Sequence, residues 1–351
     1  MKNLVIDKNA IKSNVARVKE RVRGAQIWAD LSGDAFGLGI LTTAKLLRNE
    51  GIRCFAVSDP KDAETLRSAG FTEETLMMLR STADEGELRR LLDMNVICTV
   101  GSSDAAVALN GIAEERKTVC EVQIKIDTGL GRYGFMPDET DKIVSIYKYM
   151  SNLAVVGVFS SYSESWKSKK VTQTQLETFK NVLTALHNQG YETGMAHICD
   201  SAALFKYDFE LLDAVRIGTA FSGRVAGNAA PGLTKVGCIE AGIEEVGWFP
   251  KGHRIGATVL KKPARLAVLS VGYYHGFGVT RHEPGQGLLD LIRSWRRRPT
   301  VKIGGQRVRV LGDIGMLHTI IDVTKVDCHV GDVATMDVDP VNVKGLPRIY
   351  R

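Results

Sequence analysis

The chain has 351 residues, 46 Lys and Arg against 40 Asp and Glu, a net charge of +6 and 44% hydrophobic residues, which is enough for two globular domains with sizeable cores. The charges are interspersed, which argues for a solvated surface and against nucleic-acid binding. Six scattered cysteines, with no C-x-x-C pair and no His/Cys cluster, argue against a disulfide framework or a bound metal. The N-terminus lacks an apolar signal core and no run of about 18 apolar residues occurs, so a cytoplasmic protein without membrane contact is expected.

Residues 1 to about 225 alternate strand-like runs with helical patterns. The runs, in order, are QIWADL, CFAVSD, TLMMLRS, VICTV, CEVQIKID, LAVVGVFSSY, MAHICDS and AVRIGTA. Several are continuously apolar, as strands buried on both faces of a parallel sheet must be. Amphipathic stretches such as KDAETLRSAG and QLETFKNVLTALHNQG separate them, the second ending at Gly190, a suitable helix stop. Eight strands, each followed by a helical segment, predict a TIM-like (β/α)8 barrel over residues 1–228.

Beyond this point the pattern changes. GATVL, ARLAVLSVGYY, TVKIGGQRVRVLG, TIIDVTKV and DVATMDV are short runs rich in valine and isoleucine, punctuated by glycine, aspartate and proline. They predict a separate C-terminal β domain, a barrel or sandwich, over residues 229–351. Between Val279 and Pro299, GLLDLIRSWRRR spells a basic amphipathic helix.

Such a barrel carries its chemistry at the C-terminal ends of its strands. Those ends hold Ser32, Asp34, Lys125, Asp127, Arg132, Ser161, His197, Asp200, Ser201, Arg216 and Gly218. Any one of them can instead brace the barrel rim. Cys199, beside this cluster, reads as a packing residue rather than a nucleophile.

Several motifs, in order, resemble the alanine racemase family across nearly the whole chain: ADLSGDAFGLG, FAVSDPKDAETLRSAG, QIKIDTGLGRYGF, GVFSSYS, HICDSAA, VRIGTAFSG, LSVGYYHGF, VRVLGDIGMLHTIIDV and LPRIYR. The resemblance implies a pyridoxal-phosphate enzyme that acts on amino acids as a homodimer. It assigns Tyr273 as a catalytic base, and Arg132, Lys125 and Met316 to the substrate side. It assigns His197 and Arg216 to the cofactor ring, and Ser201, Gly218 and Thr219 to its phosphate.

The resemblance also implies losses. Ser32 stands where the family keeps its Schiff-base lysine, and a hydroxyl cannot form an imine. Phe36 replaces a phosphate-binding tyrosine, Ser161 a histidine that supports the base, and Asp200 an asparagine. Without one of two opposed bases the racemase logic fails. The expectation is a non-racemase relative whose pocket takes a small anionic or amino-acid-like ligand, with pyridoxal phosphate held noncovalently at most. A surviving amino-acid racemase and a cofactor-independent enzyme of different chemistry stay open as alternatives.

Overall fold

A computed structural model of the chain describes residues 1–228, 230–279 and 299–351. The basic helix expected at 286–298 lies outside the described residues. Two compact units emerge: residues 11–234, and residues 1–10 together with 235–351. Strand β1 (Lys2–Ile6) belongs to the second unit.

In the first unit, β2 (Gln26–Asp30), β3 (Cys54–Val57), β4 (Thr75–Ser81), β5 (Val96–Val100), β6 (Cys120–Lys125), β7 (Leu153–Phe159), β8 (Met195–Cys199) and β9 (Ala214–Ile217) pair in parallel and close into a barrel. All eight fall within the eight runs read from the sequence. Every residue of β5 is buried, which explains why its run is apolar but for Thr99. Trp28, Ala56, Met77, Ile97, Phe159 and Ala214 pack as one inner cluster, so the barrel is a filled core and not a pore.

The outer helices start where the sequence supplies caps. Asp59 accepts from the Lys61 N–H at 2.9 Å with Pro60 at the first turn, and Asp84 accepts from the Glu87 N–H at 2.7 Å. Ser102 and Ser168 do the same for the helices Ser103–Glu115 and Lys169–Asn188. Each such cap contributes about 1 kcal/mol. Gly190 ends the last of these helices with φ +82°, a conformation that favours glycine.

The second unit is built around β10 (Cys238–Phe249), a twelve-residue strand the sequence reading missed because glycine and glutamate interrupt it. After it come β11 (Arg254–Ile255) and β12 (Thr258–Val259), a separate two-stranded hairpin, then β13 (Ala264–Leu269), β14 (Val301–Ile303), β15 (Gln306–Leu311), β16 (Thr319–Asp322), β17 (Val333–Asp337) and β18 (Arg348–Tyr350). The sheet order is β13-β16-β15-β14-β17-β10-β1-β18, and a further pairing of β13 with β10 closes six of these strands into a ring. β10 pairs with β1 and β17 through its first half and with β13 from Ile243 onward, with a register shift between Ile243 and Glu245. Gly304 and Gly305, with φ of +54° and +83°, make the tight turn between β14 and β15.

The division differs from the expected boundary after residue 228 in two respects: the cut falls between Thr234 and Lys235, and the N-terminus changes unit. The first ten residues join the β unit, because β1 runs antiparallel to β10 and parallel to β18. Among the described residues no helix is long and apolar enough to cross a membrane.

Candidate active site

The segment after β2 is backbone-strained. Gly33, Asp34, Ala35, Phe36 and Gly37 all have φ between +54° and +80°. A left-handed conformation costs L residues about 1–2 kcal/mol each, and such strain persists only where surrounding bonds fix it. Here Leu31 O accepts from Ala35 N at 2.8 Å, Gly33 O from Gly37 N at 3.0 Å, and Asp34 Oδ1 from Ile40 N at 2.7 Å, which opens the next helix. Ser32 sits at the start of this turn. Its N–H donates to Asp30 Oδ1 at 2.9 Å, and its hydroxyl bonds the same carboxyl. Burial raises the Asp30 carboxyl, opposed by these Ser32 bonds and by the Arg216 charge.

The turn brings Phe36 against the end of β9. A Cβ added at Gly218 would lie 2.3 Å from Phe36 Cε2, so only glycine fits beneath that ring. Ser201 Oγ accepts from the N–H groups of Gly218 and Ala220, each at 3.2 Å. Thr219 turns the chain, its carbonyl accepting from Ser222 Oγ and from Arg224 N. Asp200 precedes Ser201. Its carboxylate accepts from Ala203 N at 2.8 Å and from Ser165 Oγ at 2.6 Å.

Across β6, β7 and β8 the registers align Lys125 with Phe159 and Phe159 with His197. The His197 ring stacks on Phe159, centroids 5.1 Å apart. Its Nδ1 meets Arg216 Nη1 at 2.9 Å and its Nε2 meets Gln123 Oε1 at 2.7 Å. Arginine only donates, so Nδ1 accepts and the ring carries its proton on Nε2. Burial first, and the Arg216 charge second, push the imidazole well below its ordinary value and keep it neutral. Arg216 Nη2 donates to Ser161 Oγ at 2.7 Å, and its guanidinium lies 5.0 Å from the centroid of Phe159.

Lys125 is the one buried lysine among the described residues, 6% exposed. Its ammonium lies 5.3 Å from the Tyr133 ring centroid and 5.7 Å from that of Phe159. Burial, with Arg216 and Arg132 adding repulsion and Asp127 opposing, brings its pKa down to about 8. Asp127 is turned to the backbone: it accepts from the N–H groups of Gly129, Leu130 and Gly131. Burial raises its carboxyl, and these bonds outweigh burial and hold it below the usual range.

The remaining expected residues lie in the β unit. Tyr273 starts a short turn after β13, with its N–H on Gly315 O at 3.0 Å, and the Tyr274 N–H is on Met316 O at 3.1 Å. A Cβ on Gly272 would meet Gly315 O at 2.0 Å, so glycine is what lets Tyr273 and Met316 share one surface. Tyr273, Tyr274 and Met316 are each 53% exposed. His275 is buried, with Nδ1 on Gly272 N and Nε2 at 3.3 Å from the Lys2 ammonium.

Ser32, Phe36, Lys125, Arg132, His197, Ser201, Arg216, Gly218 and Thr219 thus all lie in the barrel unit, on strand C-terminal ends or the turns after them. Three participants escaped the sequence reading: Asp30, Gln123 and Phe159. The signal existed, since Gln123 and Asp30 each lie two residues before a chosen position, on Lys125 and Ser32, and alternate residues of a strand share a face.

Comparison with known proteins supplies the rest. Residues 6–225 match the alanine racemase N-terminal domain family and residues 238–343 the alanine racemase C-terminal domain family. The alanine racemase of Methylacidiphilum infernorum is 31% identical over 344 residues, covering 94% of this chain and 82% of that protein. Among solved structures, an alanine racemase from D-cycloserine-producing Streptomyces lavendulae shares the fold with TM-score 0.86 at 22% identity, over 100% of this chain and 97% of that one. The alanine racemase of Bartonella henselae, solved with covalently bound pyridoxal phosphate, does so with TM-score 0.82 at 21% identity, over 100% and 99%. An eight-stranded parallel barrel, a β unit and matches to both family domains lead to one assignment: the chain belongs to the alanine racemase family.

Proposed function

We propose that this member of a pyridoxal-phosphate family does not racemise alanine, and that its barrel mouth takes a small anionic, amino-acid-like ligand. The observation that carries this reading is the distribution of amines. Residue 32, after β2, is a serine bonded back to Asp30, and the buried lysine of the unit stands on β6. An imine needs an amine, and racemisation needs opposed bases on two faces of one carbon. A serine whose hydroxyl serves a carboxyl supplies neither.

The barrel residues do not fit a covalently held pyridoxal phosphate. Beyond the missing amine at residue 32, the Gly218 and Ala220 N–H groups are already turned to Ser201 Oγ. The Phe36 ring lies over Gly218 and offers a phosphate no hydroxyl. The Asp200 carboxylate occupies the start of the short helix after β8, where a second anion meets like charge. Contacts from Ser201, Thr219 and Arg216 leave at most a noncovalent hold, with His197 fixing the guanidinium. Arg132 and Lys125 supply the cationic side of the ligand site.

We also propose a homodimer. Tyr273, Tyr274, Met316 and Leu317 form an exposed apolar group in the β unit, and a second copy covering it is the common symmetric solution. In that assembly Tyr273 and Met316 meet the partner copy. Sedimentation at micromolar concentration is expected to give a dimer.

The decisive test is D-alanine formation from L-alanine with excess pyridoxal phosphate, for the parent chain and for Ser32→Lys. Neither is expected to turn over. A lost hydrogen bond to a charged group is worth about 1.5–3 kcal/mol, and defects acting as a unit are not repaired one at a time. Substantial turnover by the parent overturns the reading. Turnover by Ser32→Lys alone shows a pocket intact in all but one residue.

A further inference from the structure

We propose that His275 is a proton-sensitive latch on the surface the β unit offers to a second copy of the chain. Protonation of its ring releases the turn that carries Tyr273 and Tyr274, and the homodimer parts as the pH falls. The inference rests on the proposed homodimer and adds its regulation.

The geometry lies wholly within the β unit, to which β1 also belongs. The turn Tyr273–His275 follows β13, and its backbone is pinned on the loop between β15 and β16. The Tyr273 N–H donates to Gly315 O at 3.0 Å and the Tyr274 N–H to Met316 O at 3.1 Å. The Gly315 N–H in turn donates to His318 O at 3.0 Å. Tyr273, Tyr274, Met316 and Leu317 stand exposed on this scaffold, whereas His275, at the end of the turn, is 2% exposed. Its ring has three neighbours. The Gly272 N–H donates to Nδ1 at 3.3 Å and closes the base of the turn. The Lys2 ammonium, from β1, lies 3.3 Å from Nε2 and also donates to Ser270 O at 3.3 Å. The Tyr274 ring meets it edge to face, centroids 5.4 Å apart.

Proton counting makes this arrangement a switch. A neutral imidazole has one lone pair, so it satisfies the Gly272 N–H or the Lys2 ammonium but not both. A protonated ring has none. It loses both bonds and sets a second positive charge beside the first, in a buried place. The charged or titratable groups facing the ring are Lys2 of β1, His318 of the loop before β16 and Tyr274 of its own turn. Burial first, then Lys2, then His318 hold the imidazole below its ordinary value. The closed turn therefore refuses a proton that a loosened turn accepts. Gly272 approaches Gly315 so closely that a Cβ would lie 2.0 Å from Gly315 O. The turn has no room to yield without parting from Gly315 and Met316, and the exposed surface parts with it. By linkage, assembly is favoured above the ordinary imidazole value of about 6.5 and weakens as the pH falls below it.

The test is sedimentation of the full-length protein at micromolar concentration from pH 8 to pH 5, with circular dichroism showing a folded chain at each pH. The expected result is a dimer at pH 8 whose dissociation constant rises below about pH 6.5, by at most about tenfold per pH unit for each copy's proton. His275→Asn keeps an acceptor at the Nδ1 position but takes up no proton, so its dimer should lose most of that rise. Lys2→Met removes the facing cation and should show a smaller rise, because the closed turn then refuses the proton less strongly. His318→Gln should keep most of it. A dissociation constant that stays flat to pH 5, or a rise kept by His275→Asn and lost in His318→Gln, overturns the inference and leaves the homodimer standing. If His275→Asn is monomeric at pH 8, Lys2→Met decides, and a rise equal to the parent's overturns the inference. A parent that is monomeric at pH 8 overturns both.

Discussion

The ends of β2 and β6 are two solutions to the same position in one barrel. After β2 the chain is locked: Ser32 serves Asp30, the turn through Phe36 is left-handed, and Asp34 holds the next helix. After β6 the polar backbone is locked just as firmly, around Asp127. The side chain preceding that lock is not, for Lys125 has rings on two sides and cations nearby, but no hydrogen-bond or ion-pair partner among the described residues. Satisfied groups at a strand end hold shape. An unsatisfied buried amine is costly to fold and is therefore the better marker of chemistry.

The sharpest way to break this comparison is to remove the residue that both ends feel. Arg216 offsets the raised Asp30 and Asp200 carboxyls and repels Lys125. Arg216→Leu should cost about 3–5 kcal/mol, the usual penalty for leaving buried charge uncompensated, read by denaturant unfolding. The same change should raise the Lys125 pKa, since a repelling cation is gone, and shift the pH profile of its modification upward.

A smaller effect tests the lock after β2. Gly218→Ala drives a methyl group into the Phe36 ring and should cost about 1–3 kcal/mol, as overpacking does. Phe36→Leu in the same chain should recover most of that loss. A cost that persists in the double variant would show that the backbone, not the ring, sets the limit.

The pH dependence of stability offers a third test. His197 titrates well below 6.5 when folded, so the unfolded chain takes up a proton that the native state refuses. Stability is therefore present above about pH 6.5 and falls as the pH drops below it, at no more than about 1.4 kcal/mol per pH unit for one proton. His275 is depressed in the same direction. His197→Asn should make the fall in stability below about pH 6.5 shallower, with His275 retaining its part of it.

Smallest is Ser32→Ala, which removes the hydroxyl bond to Asp30 and should cost about 0.5–1.5 kcal/mol. A null result would say that the backbone N–H alone satisfies the carboxyl.

These contrasts also show what a sequence displays and what it withholds. The eight barrel strands were legible because strands buried on both faces read as apolar runs between caps and glycines. The polar residues at their ends were legible because that end of a barrel carries its loops. Expected GATVL shrank to the two residues of β12, and ARLAVLSVGYY stopped as a strand at Leu269, because Gly272 must press against Gly315. The left-handed turn in SGDAFG was invisible, since Ala35 and Phe36 are poor residues for it and the bonds that hold it, from Leu31 to Ile40, show only once the turn is formed. The partners Asp30, Gln123 and Phe159 were hidden for a related reason: what they do depends on which strands become neighbours.

The pairing of β1 with β10 and β18 has a consequence for how the molecule comes into being. In order of synthesis, β1 emerges before the barrel and β18 after it. At about 5–20 residues per second, β1 spends on the order of tens of seconds without its final partner. Meanwhile the barrel, whose strands follow one another closely in sequence, can close behind it. Assembly is thus nested: the middle of the polypeptide matures first, and its two ends then meet across the longest loop in the chain. That loop closure grows only slowly with length, but high contact order slows the search. Until it finishes, β1 is a bare apolar strand edge, the segment of this protein with most to gain from a chaperone's protection.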